Sequence, residues 1–150
     1  MLYIASDHGG FKLKEHLKVA LKKQRLVVND LGPKKFKDGD DYPDYAQLVA
    51  EKVSKKPHQD QGILICRSGQ GVCIVANKYK GVRAALVWNI PEAKMSRLDD
   101  MTNVLCLPSD YISPRMAEKI VEKWLETEYS ADPRHQRRID KISKLEKSIK

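Results

Sequence analysis

The chain predicts an α/β fold: a three-layer, Rossmann-like arrangement around a five-stranded parallel sheet, with one helix left over at the C-terminus. Three observations carry this. Short apolar runs alternate with segments of helical period five times along 150 residues, and such alternation implies parallel strands joined by crossover helices. Several runs, ILIC and VLCL among them, are apolar on both faces, as a sheet covered on both sides requires. Hydrophobic content of 41% with 32% charged residues suits a globular chain with room for a core.

The elements follow in order. Residues 2–6 (LYIAS) read as the first strand. Residues 11–24 follow at helical spacing, with Phe11, Leu13, Leu17, Ala20 and Leu21 as the apolar stripe. LVVNDL, 26–31, is a second strand closed by Gly32-Pro33, and KKFKDGDDYP is a turn-rich loop. Residues 45–54 form a helix with Ala46, Val49, Ala50 and Val53 on one face. Strands at 62–66, 82–88 and 103–107 then alternate with helices at 71–77, 92–98 and 114–128. The last of these carries Ala117, Ile120, Val121, Trp124 and Leu125. Pro133 opens a final helix as a first-turn proline, with Ile139, Ile142, Leu145 and Ile149 on its face. No repeat or linker interrupts the pattern, so one domain over 1–150 is expected.

Composition narrows the partners. The formal charge of +8 invites a nucleic-acid reading. The basic residues, however, are spread along helix faces, as in KLKEHLKVALKKQ, and no recognition motif accompanies them. Neither nucleic acid nor membrane is expected as a partner, and no apolar run approaches a membrane span. MLYIASDHGG enters a strand-like run without a basic leader, so a cytoplasmic location is expected. Cys66, Cys73 and Cys106 are an odd number at wide spacing, which suits reduced thiols and neither a disulfide framework nor a zinc site.

Ligands of open parallel sheets sit at the carboxyl ends of the strands. There the chain places Asp7-His8, then Asp40-Asp41-Tyr42, then Cys66-Arg67-Ser68-Gly69-Gln70-Gly71, then Trp88-Asn89 and Pro108-Ser109-Asp110. Asp7 could equally cap the first helix, and His8 could be a surface residue of a glycine turn. The third loop is no dinucleotide fingerprint, because Ile74 stands where the last glycine belongs, and no GK[ST] follows it. Cys66 is the sharper feature. A thiol where a strand meets a helix N-terminus gains from the dipole and the free amides, and can act as base or nucleophile. Those amides can also hold a developing oxyanion. Cys73 and Cys106 lie in apolar runs and read as inert core thiols.

SDHGGFKLKEHL, DYPDYA, GILICRSGQGVCIVANKYKGVRAALV, SRLDDMTNVL and RHQRR, in that order, resemble the ribose-5-phosphate isomerase B family, which includes the galactose-6-phosphate isomerase subunits. The likeness runs from Leu2 to about Ile142. It implies an aldose–ketose isomerase of a phosphosugar, by default ribose 5-phosphate to ribulose 5-phosphate, working through an enediol with neither metal nor other cofactor. It further implies Cys66 as the proton-transfer base, Ser68 as a relay, and the amides of Gly69, Gln70 and Gly71 as the enediolate cradle. Asp7, His8 and Tyr42 would contact the sugar phosphate, and Arg134 and Arg138 would hold its phosphate. A homodimer or homotetramer is implied, with the C-terminal helix, about 133–148, at the subunit interface.

Three positions depart from the pattern. Asp99-Asp100 replaces a His-Asn pair credited with ring opening and with holding a substrate oxygen; Asp99 can still serve as the catalytic acid or base if its pKa is raised, and Asp100 adds negative charge where the substrate oxygens would bind. Asp110 replaces a phosphate-holding arginine, and Arg67 replaces a glycine. Two expectations follow. Arg67 takes over a lost phosphate or hydroxyl contact. Asp99, in the place of the ring-opening histidine, points to a substrate that needs no ring opening, a tetrose phosphate for instance, or one with different hydroxyl geometry. A protein that binds phosphosugars without catalysis is the reading from a different class.

Overall fold

The computed structural model describes residues 1–148. Its elements are β1 (Leu2–Ser6), α1 (Phe11–Lys23), β2 (Val28–Asp30), α2 (Tyr42–Lys55), β3 (Gln61–Cys66), α3 (Gln70–Ala76), β4 (Ala84–Leu86), α4 (Ile90–Asp100), β5 (Val104–Pro108), α5 (Pro114–Glu126) and α6 (Pro133–Ser148). All strand pairs are parallel, in the order β2-β1-β3-β5-β4. The Rossmann-like expectation therefore holds.

The period-two alternation of the central strands divides the core. Ile4, Ile63, Ile65, Leu105 and Leu107 pack with Leu13 and Leu17 of α1, Ala93 of α4, and Ile120 and Trp124 of α5. Ala5, Leu64, Cys66, Val104 and Cys106 pack against Val49 and Val53 of α2 and Val72 of α3. Burying each such branched side chain stabilises by about 1.5–3 kcal/mol. Trp124 is fully buried, and its indole N–H donates to Thr102 Oγ1 at 2.9 Å, so no polar group is stranded there.

The edges depart from expectation. β2 and β4 each have one neighbour and are three residues long, shorter than the apolar runs at 26–31 and 82–88. Leu26 and Val27 stay exposed, because Arg25 takes a left-handed turn (φ 61°) that ends α1 before pairing begins. The second helix starts earlier than expected. Tyr42 and Pro43 are its first residues, with proline where its missing N–H costs nothing. Lys14 is no part of a solvated face. It is fully buried, and its ammonium donates to Asp30 Oδ2 (2.7 Å), Glu15 Oε1 (2.8 Å) and the Pro33 carbonyl (3.0 Å), using all three hydrogens.

α6 lies against α4, with Ile139 buried and Glu146 accepting the Gly81 N–H at 3.1 Å. Ile142 and Leu145 are exposed, so the expected apolar face is only partly covered by the chain itself. Ile149 lies outside the described residues. Among the described residues no helix is long and apolar enough to cross a membrane.

Candidate active site

The chain steps from β1 outward to β2 on one side and continues with β3 on the other. The crevice between the carboxyl ends of β1 and β3 is therefore the switch point of the sheet. Cys66 ends β3 there. Its Sγ accepts the Gly69 N–H at 3.1 Å, so the buried thiol is held against the loop at the edge of the core. Gly69 is required twice over. Its φ of +71° is left-handed, and a Cβ would lie 2.5 Å from Leu86 Cδ1 and 3.0 Å from the Leu107 carbonyl carbon. Ser68 Oγ accepts the Gln70 N–H at 3.4 Å. Two of the three loop amides are thus directed at the neighbouring thiol and hydroxyl. The Gly71 N–H has no partner among the described residues.

Tyr42 reaches the same loop from α2. A Cβ on Gly71 would sit 2.5 Å from the Tyr42 ring, so only glycine admits the phenol so close. Asp7 and His8 complete this half. Asp7 Oδ1 accepts the Gly10 N–H at 3.0 Å, so it does close the turn before α1, while lying 6% exposed at the crevice floor. Burial, partly offset by that amide, raises its pKa above the ordinary carboxyl value. His8 is half-buried and not loose: its Nδ1 lies 2.9 Å from Asp40 Oδ1, and the hydrogen bond to Asp40 raises its pKa.

Arg67 points across the crevice mouth to the loop after β5. Its Nη1 lies 3.9 Å from Asp110 Oδ2, with both side chains largely exposed. Its stem covers Gly9, where a Cβ would lie 2.5 Å from Arg67 Cγ. Two of the three departures from the family pattern therefore pair with each other. Ser109 ties the same loops together, its hydroxyl donating to the Gly9 carbonyl at 2.9 Å and lying 3.2 Å from that of Cys66. His8, Gly9, Lys12, Phe36, Arg67 and Asp110 line a cleft of about 290 Å³ beside the thiol loop, together with Asp38.

Asp99, Asp100, Arg134 and Arg138 are not part of this constellation. α4 carries the chain from the carboxyl end of β4 back to the amino end of β5, a path of about 16 Å. At that far end Arg83, just before β4, donates through Nε to the Asp100 carbonyl (2.9 Å) and through Nη2 to that of Met101 (2.9 Å). Asp99 Oδ1 lies 3.5 Å from His135 Nδ1 of α6. Arg134 folds back onto Asp132, at 3.0 Å, and draws that carboxyl down to about 2. Arg138 is exposed on the next turn.

Cys106 is fully buried, and burial pushes its thiol well up, as an inert core thiol requires. Cys73 is only half-buried, with a pKa lowered by its hydrogen bond to Cys106. Asp40 is the partner of His8 that the sequence does not single out. It stood out only as one of several acids in a loop, and no local spacing announces a partner 32 residues away.

The model of the Ribose/Galactose Isomerase family matches residues 2–142. The chain is 49% identical over 146 residues to the probable ribose-5-phosphate isomerase B of Mycoplasma genitalium, covering 97% of this chain and 95% of that protein. It is 32% identical over 147 residues to D-erythrulose-4-phosphate isomerase 2 of Mycolicibacterium smegmatis, covering 97% and 96%. The crystal structure of ribose-5-phosphate isomerase B from Mycoplasma genitalium with bound ribulose-5-phosphate superposes with a TM-score of 0.94 at 49% identity, over 97% of this chain and 95% of that one.

Proposed function

Since the chain belongs to the ribose/galactose isomerase family, we propose that it interconverts an aldose phosphate and a ketose phosphate through an enediol, with ribose 5-phosphate and ribulose 5-phosphate as the pair. The observation that carries this is the Cys66 thiol at the switch point, aligned by the Gly69 amide. As a thiolate, Sγ takes the proton from the carbon beside the carbonyl. The electron pair left behind forms the enediolate, and the Gly71 N–H faces the developing oxyanion. Ser68 passes a proton between the two substrate oxygens, and the Cys66 thiol returns its proton to the neighbouring carbon. Atoms and charge balance within the substrate and these two side chains. Asp7, His8 and Tyr42 orient the sugar, and Arg67 adds positive charge at the cleft mouth.

The remaining residues enter from a second copy. Asp99, Asp100, Arg134 and Arg138 stand at the opposite end of the strands from Cys66, so a homodimer that sets one copy's α4–α6 corner over the other's crevice supplies the phosphate arginines. Ile142 and Leu145, exposed on α6, are apolar surface suited to such a contact.

A tetrose phosphate is the second reading, favoured by Asp99. A carboxyl group replaces the imidazole that ring opening calls for, and tetrulose phosphates, which form no stable ring through a free hydroxyl, do not need it. A panel of aldose and ketose phosphates of four to six carbons decides between them, read by deuterium exchange at the carbon beside the carbonyl (C2 of an aldose, C1 of a ketose) with Cys66→Ala as the blank. Exchange with none of them overturns the isomerase reading, and exchange that survives Cys66→Ala moves the base to another residue. Ribose 5-phosphate turned over as fast as the tetrose removes the second.

A further inference from the structure

Asp40 is buried, with a side chain 2% exposed, at the end of the loop after β2. One of its oxygens does two things. Oδ1 accepts the backbone N–H of His8 at 2.6 Å, and it lies 2.9 Å from His8 Nδ1. The Asp40 carbonyl lies 3.2 Å from the same ring nitrogen. Both partners of Nδ1 are acceptors, so Nδ1 carries the hydrogen and the ring is fixed in orientation. Nε2 is then the ring nitrogen left for a ligand, and His8 lines the cleft beside Cys66.

We propose that Asp40 is a positioning residue of the active site: it locks the His8 ring and holds it as an imidazolium whose Nε2–H donates to the substrate phosphate. This deepens the isomerase reading above and rests on it. The burial of Asp40 supports it, since a carboxylate withdrawn from water interacts more strongly with its one cationic partner. Its other oxygen, Oδ2, is buried without a hydrogen-bond partner among the described residues. His8 is the one cation it touches among the described residues, and the Tyr45 hydroxyl of α2 also stabilises it. The Asp40 carboxyl is disfavoured by burial but brought below its ordinary value by His8 and by the Tyr45 hydroxyl of α2, so it is anionic wherever His8 titrates.

The other charged groups facing His8 are Asp7 on the turn beneath it, and Lys12, Asp38, Arg67 and Asp110 around the cleft. Of these, Asp7 also favours the charged ring, while Arg67 and Asp110 pair with each other. Asp40 differs from them in touching it. The sign is fixed: His8 stays charged to a higher pH than free imidazole, and its donor is lost as pH rises through that value.

The test needs two measurements on the full-length chain. In ¹⁵N-histidine spectra, with His8 identified by the signals lost in His8→Gln, wild-type His8 should hold its neutral-form proton on Nδ1 and titrate above free imidazole. In Asp40→Asn the midpoint should fall, and Asp40→Glu should restore part of the shift. For ribulose 5-phosphate, Asp40→Asn should raise KM about tenfold near neutrality at little cost in kcat, with the rise starting at lower pH than in wild type. A wild-type His8 whose neutral form carries its proton on Nε2 overturns the proposal even if Asp40→Asn does not fold. So does an Asp40→Asn midpoint equal to wild type, or a moved midpoint with KM unchanged. If wild type turns over no phosphosugar, the spectra still read the Asp40–His8 link, and it is the isomerase reading that has failed.

Discussion

The two ends of the sheet are built differently. At the carboxyl end the proposed groups are over-determined: Cys66 is tied to Gly69, Tyr42 lies on Gly71, and Asp40 grips His8. At the amino end Asp99, Arg134 and Arg138 sit on helix surfaces, and Arg134 spends its guanidinium on a neighbour two residues away. Buried groups in a fixed frame suit the proton transfers, which demand placement to within fractions of an ångström. Exposed charges on α6 suit the capture of a phosphate, and in the proposed dimer a second copy brings them to the crevice.

Cys66→Ser breaks the carboxyl end alone. The swap keeps the size and the Gly69 N–H acceptor, so the melting temperature should move little. Losing the base should cut kcat about a thousandfold. Retention of a tenth of the rate would show that the base lies elsewhere.

Mixing variants joins the two ends. Cys66→Ser carries an intact α6, and a double variant Arg134→Ala, Arg138→Ala carries an intact thiol loop. If each site draws on two copies, the two inactive proteins unfolded together and refolded should regain about a quarter of wild-type activity, because half of a random population is mixed and each mixed dimer has one whole site. No recovery, with mixed dimers verified by mass, would place the arginines and the thiol in one copy.

Lys14 bears on why the carboxyl end is stiff. It ties α1 to Asp30, from which the chain runs on to Asp40. Lys14→Met should destabilise by about 3 kcal/mol in urea titrations, because Asp30 stays buried and loses its one buried cation, keeping the more exposed Lys18 at 2.7 Å and Lys34 at 3.7 Å. Burial alone would raise the Asp30 pKa, but Lys14 and Lys18 bring it below the ordinary value. Its stabilisation is therefore present above the unfolded carboxyl pKa and is lost as pH falls through the lowered folded one. Acid unfolding of wild type should be steeper there than that of Lys14→Met. Identical pH profiles would mean the pair carries no stability.

How much of this could be read from the chain follows the same division. Residues 62–66 and 103–107 were legible to within a residue, because β3 and β5 are apolar on both faces and paired on both sides. Residues 26–31 and 82–88 were overextended, since an apolar run does not say where a strand with one neighbour stops pairing. Cys66 and its glycines were visible because the chemistry is local, a thiol and a left-handed turn three residues apart. The Asp40–His8 link, the burial of Lys14 and the Arg67–Asp110 pair were not, because each joins separate loops or elements, and no spacing rule reports a contact that only the sheet order creates.

Arg67 gives the smallest expected effect and the finest test of the contrast, since it is an exposed charge at the rigid end. Its 3.9 Å pairing with Asp110 is open to water, and such pairs contribute about 0–1 kcal/mol. Arg67→Gly should leave the melting temperature nearly unchanged. If Arg67 holds the substrate, KM should rise severalfold with kcat kept, and the rise should shrink in high salt as screening removes the charge's share. Asp110→Asn should then lower KM, because it frees the guanidinium and removes a carboxylate from the cleft. KM unmoved in both variants would make the pair a surface ornament of this chain, and the phosphate would have to be held by His8 and the α6 arginines alone.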